Sequence, residues 1–219
     1  RIRKEAQIIS KKKNQKEGLK YITSKFDKIS NPNSRMIFDI ANFYKNSKNY
    51  FQAIRYYSLI IDSLDENSEL KSDLLYRRGG SYERIKDYKN ADKDLLNSLR
   101  IKPNDAYVLN YLAYSWLERN YKINEAIKML DQILEKHKGH RGLIHTGSYE
   151  FSQYIKGHTS HIKRIIEYNK SSEKKDALVK FKNTMNGVIM GPSILEGLDF
   201  KDDISTVRLK HNKKRPHYD

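Results

Sequence analysis

Histidine pairs are the residues of this sequence whose type and spacing come nearest to those of a metal site. His137/His140 and His158/His161 are each three residues apart, so on a helix both imidazoles of a pair would lie on one face. The chain has no cysteine, which excludes disulfides, thiol nucleophiles and cysteine-bound zinc. The sequence places no third ligand near either pair, and Asp202–Asp203 is too remote to assign. We therefore predict no metal site.

The stretch from Gly187 to Gly197 is glycine-rich, as phosphate-binding loops are. It lacks both the Gly-Lys-Ser/Thr of a P-loop and the G-x-G-x-x-G spacing of a dinucleotide turn, so we predict an ordinary loop. The chain also has no Gly-x-Ser-x-Gly elbow and no nucleophile beside a placed base. We therefore expect no catalytic residues, no cofactor and no enzyme activity.

Composition sets the class of protein. The 219 residues include 43 Lys and Arg against 27 Asp and Glu, a net charge of +16, and 37% are hydrophobic. The mean hydropathy is −0.85, and no apolar run approaches the roughly 20 residues of a membrane-spanning helix. One ordinary domain or one elongated array fits this composition. Because the chain begins at Arg1, we expect an incomplete N-terminus and leave bacterial cytoplasm and periplasm equally open.

Small residues recur in pairs twelve positions apart, which indicates repeated helix hairpins. The pairs are Ala6/Gly18, Ala41/Ala53 and Gly79/Ala91, then Ala113/Ala126 with one extra residue, and successive pairs begin 34 to 38 residues apart. Where two helices cross closely, a small residue lets the backbones approach to about 8 to 9 Å. Bulky apolar residues follow at three- and four-residue intervals, and nothing before residue 140 alternates with the period of a strand.

These spacings resemble the 34-residue pattern of tetratricopeptide repeats. Residues 72–105 match it best, residues 34–67 and 106–140 match nearly as well, and residues 1–33 are a degenerate helix pair. The matching residues of the best repeat are Leu75, Gly79, Tyr82, Ala91, Leu95, Ser98 and Pro103. The run from Asn110 to Trp116 is also similar to bacterial, especially alphaproteobacterial, members of the family. The resemblance implies an all-α fold, a right-handed α-solenoid of stacked hairpins.

One residue departs from the family pattern within the best repeat. Arg78 lies where the family has a buried leucine, so its hairpin packs well if the aliphatic stem is buried and the guanidinium reaches solvent. Four aromatic residues at helical spacing are assigned to packing rather than to recognition: Tyr44, Tyr57, Tyr82 and Trp116.

In the family, the first helices of the hairpins line a concave surface that binds partners. The positions that correspond to this groove carry several aromatic rings and charges of both signs. They are Arg35, Phe38, Asn42, Lys45, Asp73, Tyr76, Glu83, Tyr107, Asn110 and Tyr114. The resemblance therefore implies a non-catalytic protein–protein interaction module, a scaffold or adaptor that binds a peptide or a partner helix. Some family members bind a C-terminal carboxylate with a set of Lys, Asn and Arg residues. In this sequence only Asn42 corresponds to a member of that set, so we do not predict such a site.

The excess positive charge is concentrated at the two ends of the chain. Residues 1–33 hold ten basic and three acidic side chains and residues 141–219 hold 15 and nine, whereas the repeats between them hold 18 and 15. Such ends could bind nucleic acid or an anionic membrane surface through counterion release, which is the alternative function. They could equally reflect the general abundance of lysine in this sequence.

The helical period fails after His140, and three interpretations of residues 141–219 remain open. Ser148 and Ser160 keep the twelve-residue spacing, which favours a degenerate repeat. The Lys-rich stretches near residues 171–175 and 213–217 are typical of a low-order basic tail. The third interpretation is a translation out of frame from about residue 139, in which case nothing beyond that point would carry a selected function.

Overall fold

The structure, a computed structural model, describes residues 2–146, 148–192 and the backbone of 207–209, in two compact units. The first unit comprises Arg1–Asp105 and the second Ala106–Asp219. Among the described residues, no helix has the length and apolarity needed to span a bilayer.

The first unit consists of three helix hairpins in chain order, and this part of the predicted α-solenoid is confirmed. Its helices are α1 (Ile2–Lys12), α2 (Gln15–Phe26), α3 (Ser34–Asn46), α4 (Tyr50–Ile61), α5 (Glu69–Arg84) and α6 (Tyr88–Ile101). Four of them begin after a side chain that accepts a hydrogen bond from the first turn and so satisfies an otherwise unpaired N–H. These capping residues are Asn14, Asn33, Asn49 and Asp87.

The paired small residues lie where the helices of each hairpin cross, as predicted. Ala6, Ala41 and Ala53 have no exposed surface. A Cβ added at Gly79 would lie 3.2 Å from the carbonyl oxygen of Ala91, its partner in the sequence pattern. The close approach lets α3, α4 and α5 share one continuous apolar core.

The turns inside the hairpins repeat one structure. The fourth residue after an aromatic residue takes a left-handed conformation, and the fifth donates its N–H back to the aromatic residue's carbonyl. Turn by turn, the aromatic residue, the left-handed residue and the donor are Tyr44, Lys48 and Asn49, then Tyr82, Lys86 and Asp87, then Trp116, Asn120 and Tyr121. Equivalent positions of three repeats therefore have equivalent geometry.

The second unit begins with a further hairpin and continues into a different architecture. The hairpin is formed by α7 (Ala106–Glu118) and α8 (Ile123–Lys136). Strands and helices then alternate: β1 (Gly142–His145), α9 (Tyr149–His158), β2 (Ile165–Glu167), α10 (Lys174–Asn183), β3 (Val188–Gly191) and β4 (Val207–Leu209). The four strands form one parallel sheet in the order β2-β3-β1-β4.

This sheet corrects two expectations about the segment after residue 140. A degenerate helical repeat is wrong for the described residues, because β1 occupies the place of its first helix. The ordinary loop expected from Gly187 is wrong over Val188–Gly191, which is a buried central strand; residues 193–197 lie outside the described residues. Parallel strands are buried on both faces and therefore show short apolar runs without alternation, which the search for helical period does not detect.

The interior of the sheet argues against the other two interpretations. Leu143, Ile166 and Ile189 of three strands pack with Phe181 of α10 in one buried cluster. A Cβ at Gly191 would lie 2.5 Å from the ring of Tyr168, so only glycine fits beneath that ring. Such agreement of strand, helix and core is not expected of a low-order tail or of a random reading frame. The basic stretch at 213–217 lies outside the described residues.

Candidate functional site

Asn42, a predicted groove residue, lies on α3 where side chains of α4 and α5 reach it. Its Nδ2 donates to the carbonyl oxygen of Phe38 at 2.8 Å. Its Oδ1 accepts a hydrogen bond from Tyr57 Oη at 2.9 Å and a longer one from Arg77 Nη1 at 3.4 Å. Tyr57 has no exposed surface, and burial raises the pKa of its hydroxyl, so it remains a donor. Asn42 is therefore fixed in one orientation by three helices.

Two guanidinium groups lie near the ring of Phe38. The Cζ atom of Arg77 is 5.3 Å from the ring centroid, and that of Arg35 is 6.0 Å away. Both distances allow a cation–π attraction, which orders the two long side chains around the ring. We call Phe38, Asn42, Lys45 and Arg77 the α3–α5 face.

Most charges around the α3–α5 face are paired. Asp39 accepts from Arg3 at 3.1 Å and lies 3.8 Å from Arg35, and Asp73 is bridged to Arg77 at 2.9 Å. Lys45 is half-buried and has no ion pair with any described residue. Among the described residues, Lys45 is therefore a cation of this face without an ion-pair partner.

The environment of Lys45 disfavours its charged form. Burial lowers the pKa of its ammonium group, and the nearby charge of Arg77 lowers it further, while Asp73 opposes both effects. A carboxylate placed between Lys45 and Arg77 would relieve this repulsion. The local electrostatics thus suit an anionic ligand.

The other predicted groove residues have different surroundings. In the first unit, Tyr76 is half-buried on α5, whereas Glu83 is only 6% exposed and lies 3.6 Å from Arg84. In the second unit, Tyr107 is 78% exposed on α7. Asn110 and Tyr114 of the same helix line a cavity.

Sequence reasoning missed Arg77, although it contacts three predicted residues, Phe38, Asn42 and Asp73. The available signal was the spacing of Asp73 and Arg77, four residues apart on one helix, which is that of a stabilising ion pair. That spacing places Arg77 on the face of α5 next to Asp73. The family pattern does not assign this position to the groove, so the sequence did not predict a binding role for Arg77.

The histidine pairs do not form a cluster that would hold a metal. The rings of His137 and His140 are 6.0 Å apart, and burial lowers the pKa of His137. His158 Nδ1 is 2.8 Å from the carbonyl oxygen of Tyr154, while His161 lies beyond the end of α9. Across the described residues no three His, Asp or Glu side chains come together as metal ligands. Asp202–Asp203 lies outside them.

The chain resembles tetratricopeptide repeat proteins, although no family model matches it. Over 88 residues it is 35% identical to a TPR repeat-containing protein of Methanocaldococcus jannaschii, a match that covers 40% of this chain. The match spans only 14% of that relative's length.

Solved structures resemble the hairpin architecture of this chain at low sequence identity. MamA from Desulfovibrio magneticus RS-1 is 15% identical, with a TM-score of 0.51 over 83% of this chain and 92% of that one. The TPR-like repeats of a putative kinesin light chain from Podosopora anserina are 10% identical, with a TM-score of 0.55 over the same shares. At identities this low, the structural similarity establishes the tetratricopeptide fold of the hairpins and does not identify a ligand.

Proposed function

We propose that this chain, whose hairpins have the tetratricopeptide fold, is a non-catalytic interaction module that binds an extended peptide or a partner helix. The binding surface is the α3–α5 face of the first unit, and the ligand carries an acidic side chain. The observation that carries the proposal is Lys45, a half-buried cation near Arg77 that forms no ion pair with a described residue. Repeat folds of this kind commonly act as scaffolds rather than enzymes.

The face offers the elements of peptide recognition in a small area. Phe38 gives an apolar surface framed by guanidinium groups, and Asn42 is fixed by its hydrogen bonds. Lys45 and Arg77 would bind a carboxylate by charge-assisted hydrogen bonds, which are the stronger kind. A ligand with an Asp or Glu next to an apolar residue would satisfy both parts.

A peptide-display selection on the full chain provides the test. Recovered peptides should be enriched in Asp and Glu, and their affinity should be measured by fluorescence polarisation. Phe38→Ala and Lys45→Gln should each weaken binding about tenfold, because each removes one part of the contact. Lys93→Gln, at an exposed lysine of α6, is the matched control and should bind normally. Acidic peptides that bind Lys45→Gln as tightly as the native chain would contradict the proposal.

Binding of an acidic peptide should depend on pH in a direction set by Lys45. The ammonium form binds the carboxylate, so affinity falls as the pH rises through the pKa of Lys45, which lies below the ordinary 10.5. Lys45→Arg remains protonated throughout this range and should retain its affinity. Parallel loss of affinity in both proteins would assign the titration to another group.

Ionic strength separates this proposal from the alternative, in which the basic ends bind nucleic acid or anionic lipid. Binding at the α3–α5 face involves few charges and should persist in 0.5 M salt, whereas binding through many lysines would show a steep salt dependence. Replacement of the exposed Lys11, Lys12, Lys13 and Lys16 by Gln removes four of these basic side chains without removing α1, and it should leave peptide affinity unchanged. Loss of binding in that variant would favour the alternative.

A further inference from the structure

The dipeptide Asn186–Gly187 lies in a turn between α10 and β3. The Gly187 N–H donates to the carbonyl oxygen of Thr184 at 3.3 Å, and this hydrogen bond closes the turn. Asn186 is exposed, and its Nδ2 donates to the carbonyl oxygen of Lys138, also at 3.3 Å. Both hydrogen bonds are longer than is usual for N–H donors, so they hold these two nitrogen atoms weakly.

Packing, rather than backbone conformation, requires the glycine of this turn. A Cβ added at Gly187 would lie 2.8 Å from Ile166 Cδ1 and 3.1 Å from the side chain of Thr184. Because glycine has no side chain, its backbone nitrogen is the least hindered of any residue. The amide carbon of Asn186 can therefore approach the next backbone nitrogen without a steric barrier.

Arg164 binds the peptide group that joins Asn186 to Gly187. Its Nε donates to the main-chain carbonyl oxygen of Asn186 at 3.0 Å. The other described hydrogen bonds of the guanidinium also go to main-chain carbonyl oxygens, near the end of α8. Among the described residues no carboxylate forms an ion pair with it. The positive charge beside this peptide group is thus not paired with a described acidic side chain.

A cation at this oxygen favours deprotonation of the Gly187 nitrogen. When a peptide N–H loses its proton, the negative charge lies largely on the carbonyl oxygen of the same peptide group. A donor that is fixed before the charge develops stabilises it most effectively, at distances of about 2.7 to 3.1 Å. The contact of 3.0 Å from Arg164 Nε meets this condition.

We propose that Asn186 is a site of spontaneous deamidation and that Arg164 promotes the reaction. The Gly187 nitrogen gives its proton to solvent hydroxide and attacks Cγ of Asn186, so that an N–Cγ bond forms. The Cγ–Nδ2 bond then breaks, and ammonia leaves with a proton taken from water. One water molecule hydrolyses the resulting succinimide at either carbonyl carbon, which gives aspartate or isoaspartate.

Deamidation would weaken the packing around this turn. The product carboxylate has no N–H for the carbonyl oxygen of Lys138 and repels it. Isoaspartate also adds one methylene to the main chain directly before β3, where Gly187 already packs against Ile166. Amide exchange in β3 should therefore rise as the modified chain accumulates.

Incubation of the full chain in mildly alkaline buffer, followed by peptide mapping, tests the proposed site. Asn186 should be converted before Asn46, an exposed asparagine that is followed by Ser47. The Ser47 N–H donates to the carbonyl oxygen of Phe43 at 2.9 Å, so the nitrogen next to Asn46 is held more firmly. Conversion of Asn186 that is no faster than that of Asn46 would overturn the proposal.

Variants test the role of Arg164. Arg164→Gln removes the cation from the peptide oxygen and should slow the conversion of Asn186 about tenfold, the effect of one charge-assisted hydrogen bond. Lys163→Gln removes the same charge at the exposed neighbouring position and should leave the rate unchanged. If Arg164 only holds the turn in place, its loss would loosen the turn and speed the reaction. Equal or faster conversion in Arg164→Gln would therefore overturn the role of Arg164.

A short peptide gives a measurement that does not depend on the folding of a variant. Acetyl-Thr-Met-Asn-Gly-Val-amide has the sequence of residues 184–188 and lacks Arg164. The folded native chain should convert this asparagine faster than the peptide does, because only the chain places a cation at the peptide oxygen. Slower conversion in the chain would show that the fold protects Asn186, and it would overturn the proposal.

Discussion

At the scale of single residues, Arg78 shows how a charged side chain replaces an apolar one in a packed hairpin. Its guanidinium donates to both carboxylate oxygens of Asp94, at 2.7 and 2.8 Å, and to Ser58 Oγ at 2.9 Å. The Arg78 side chain is 16% exposed and that of Asp94 4%, so the guanidinium is paired inside the protein rather than directed into solvent. Burial lowers the pKa of Arg78, but the hydrogen bonds and charge of Asp94 raise it above its ordinary value.

Removing one charge of this pair should lower the free energy of unfolding strongly, whereas replacing both residues by apolar ones should not. Asp94→Asn would leave the guanidinium buried without its counter-charge, and we expect a loss of about 3 to 5 kcal/mol in the free energy of unfolding. Arg78→Met combined with Asp94→Leu should recover most of this loss, because neither charge remains buried.

Urea unfolding followed by circular dichroism gives the measurement, with the exposed pair Asp73 and Arg77 as the control. Asp73→Asn should cost less than about 1 kcal/mol, since solvent screens that interaction. Equal costs for Asp94→Asn and Asp73→Asn would mean that burial of the Arg78–Asp94 pair has no energetic consequence.

At the scale of elements, the helix crossings decide which small residues can be exchanged. A Cβ added at Gly18 would lie 2.7 Å from the carbonyl oxygen of Ala6 and 1.8 Å from Ser10 Oγ. Ser10 Oγ can turn away, but the backbone oxygen belongs to α1 and moves only with the helix. Gly157, in α9, has no atom within 4 Å of such a Cβ. Two helical glycines thus differ in the space around them.

Gly18→Ala should therefore destabilise the protein, and Gly157→Ala should not. The first change forces α1 and α2 apart because the new Cβ would meet a backbone oxygen, and we expect a cost of about 3 kcal/mol, which exceeds the gain in helix propensity of about 1 kcal/mol. The second change keeps that gain and should leave stability equal or slightly higher. Hydrogen exchange of the α1 amides, together with urea unfolding, distinguishes the two. Slower or unchanged exchange in α1 after Gly18→Ala would show that the crossing tolerates a methyl group.

At the scale of the whole molecule, the chain combines helix hairpins with a parallel α/β segment, and within the second unit one arginine joins the two. Arg164 donates to the carbonyl oxygens of Leu134 at 2.7 Å, His137 at 3.2 Å and His140 at 2.9 Å, all near the end of α8. Its Nε donates to Asn186 just before β3, at 3.0 Å. Carbonyl groups that lack a helical partner at the end of α8 thus accept hydrogen bonds from a residue of the α/β segment.

Arg164→Lys should loosen this attachment while keeping the charge. A single ammonium nitrogen cannot reach both the end of α8 and Asn186, so we expect a loss of about 2 kcal/mol in unfolding free energy. Amide exchange should rise at the end of α8 and in β3, and residues 2–105 should be unaffected. Lys163→Arg, at the exposed neighbouring position, is the control. If exchange rises equally in both variants, Arg164 does not join the two parts.

The sequence by itself determined the helix hairpins, because their information is local. The twelve-residue spacing of Ala6 with Gly18 and of Gly79 with Ala91 is set by part of each helix and the turn between them, and each crossing needs a small residue whatever surrounds it. The aromatic residues at the turns follow from the same period.

Only the tertiary structure decided the sheet and the partners of Arg78, Arg77 and Arg164. Parallel strands such as β1 and β3 pair across 46 residues of sequence. Their four-residue apolar runs have no periodicity that would identify them as strands. Asp94 meets Arg78, and Asn186 meets Arg164, only after elements distant in the chain have packed. Interactions between side chains far apart in sequence depend on this packing, and a periodic pattern does not encode it.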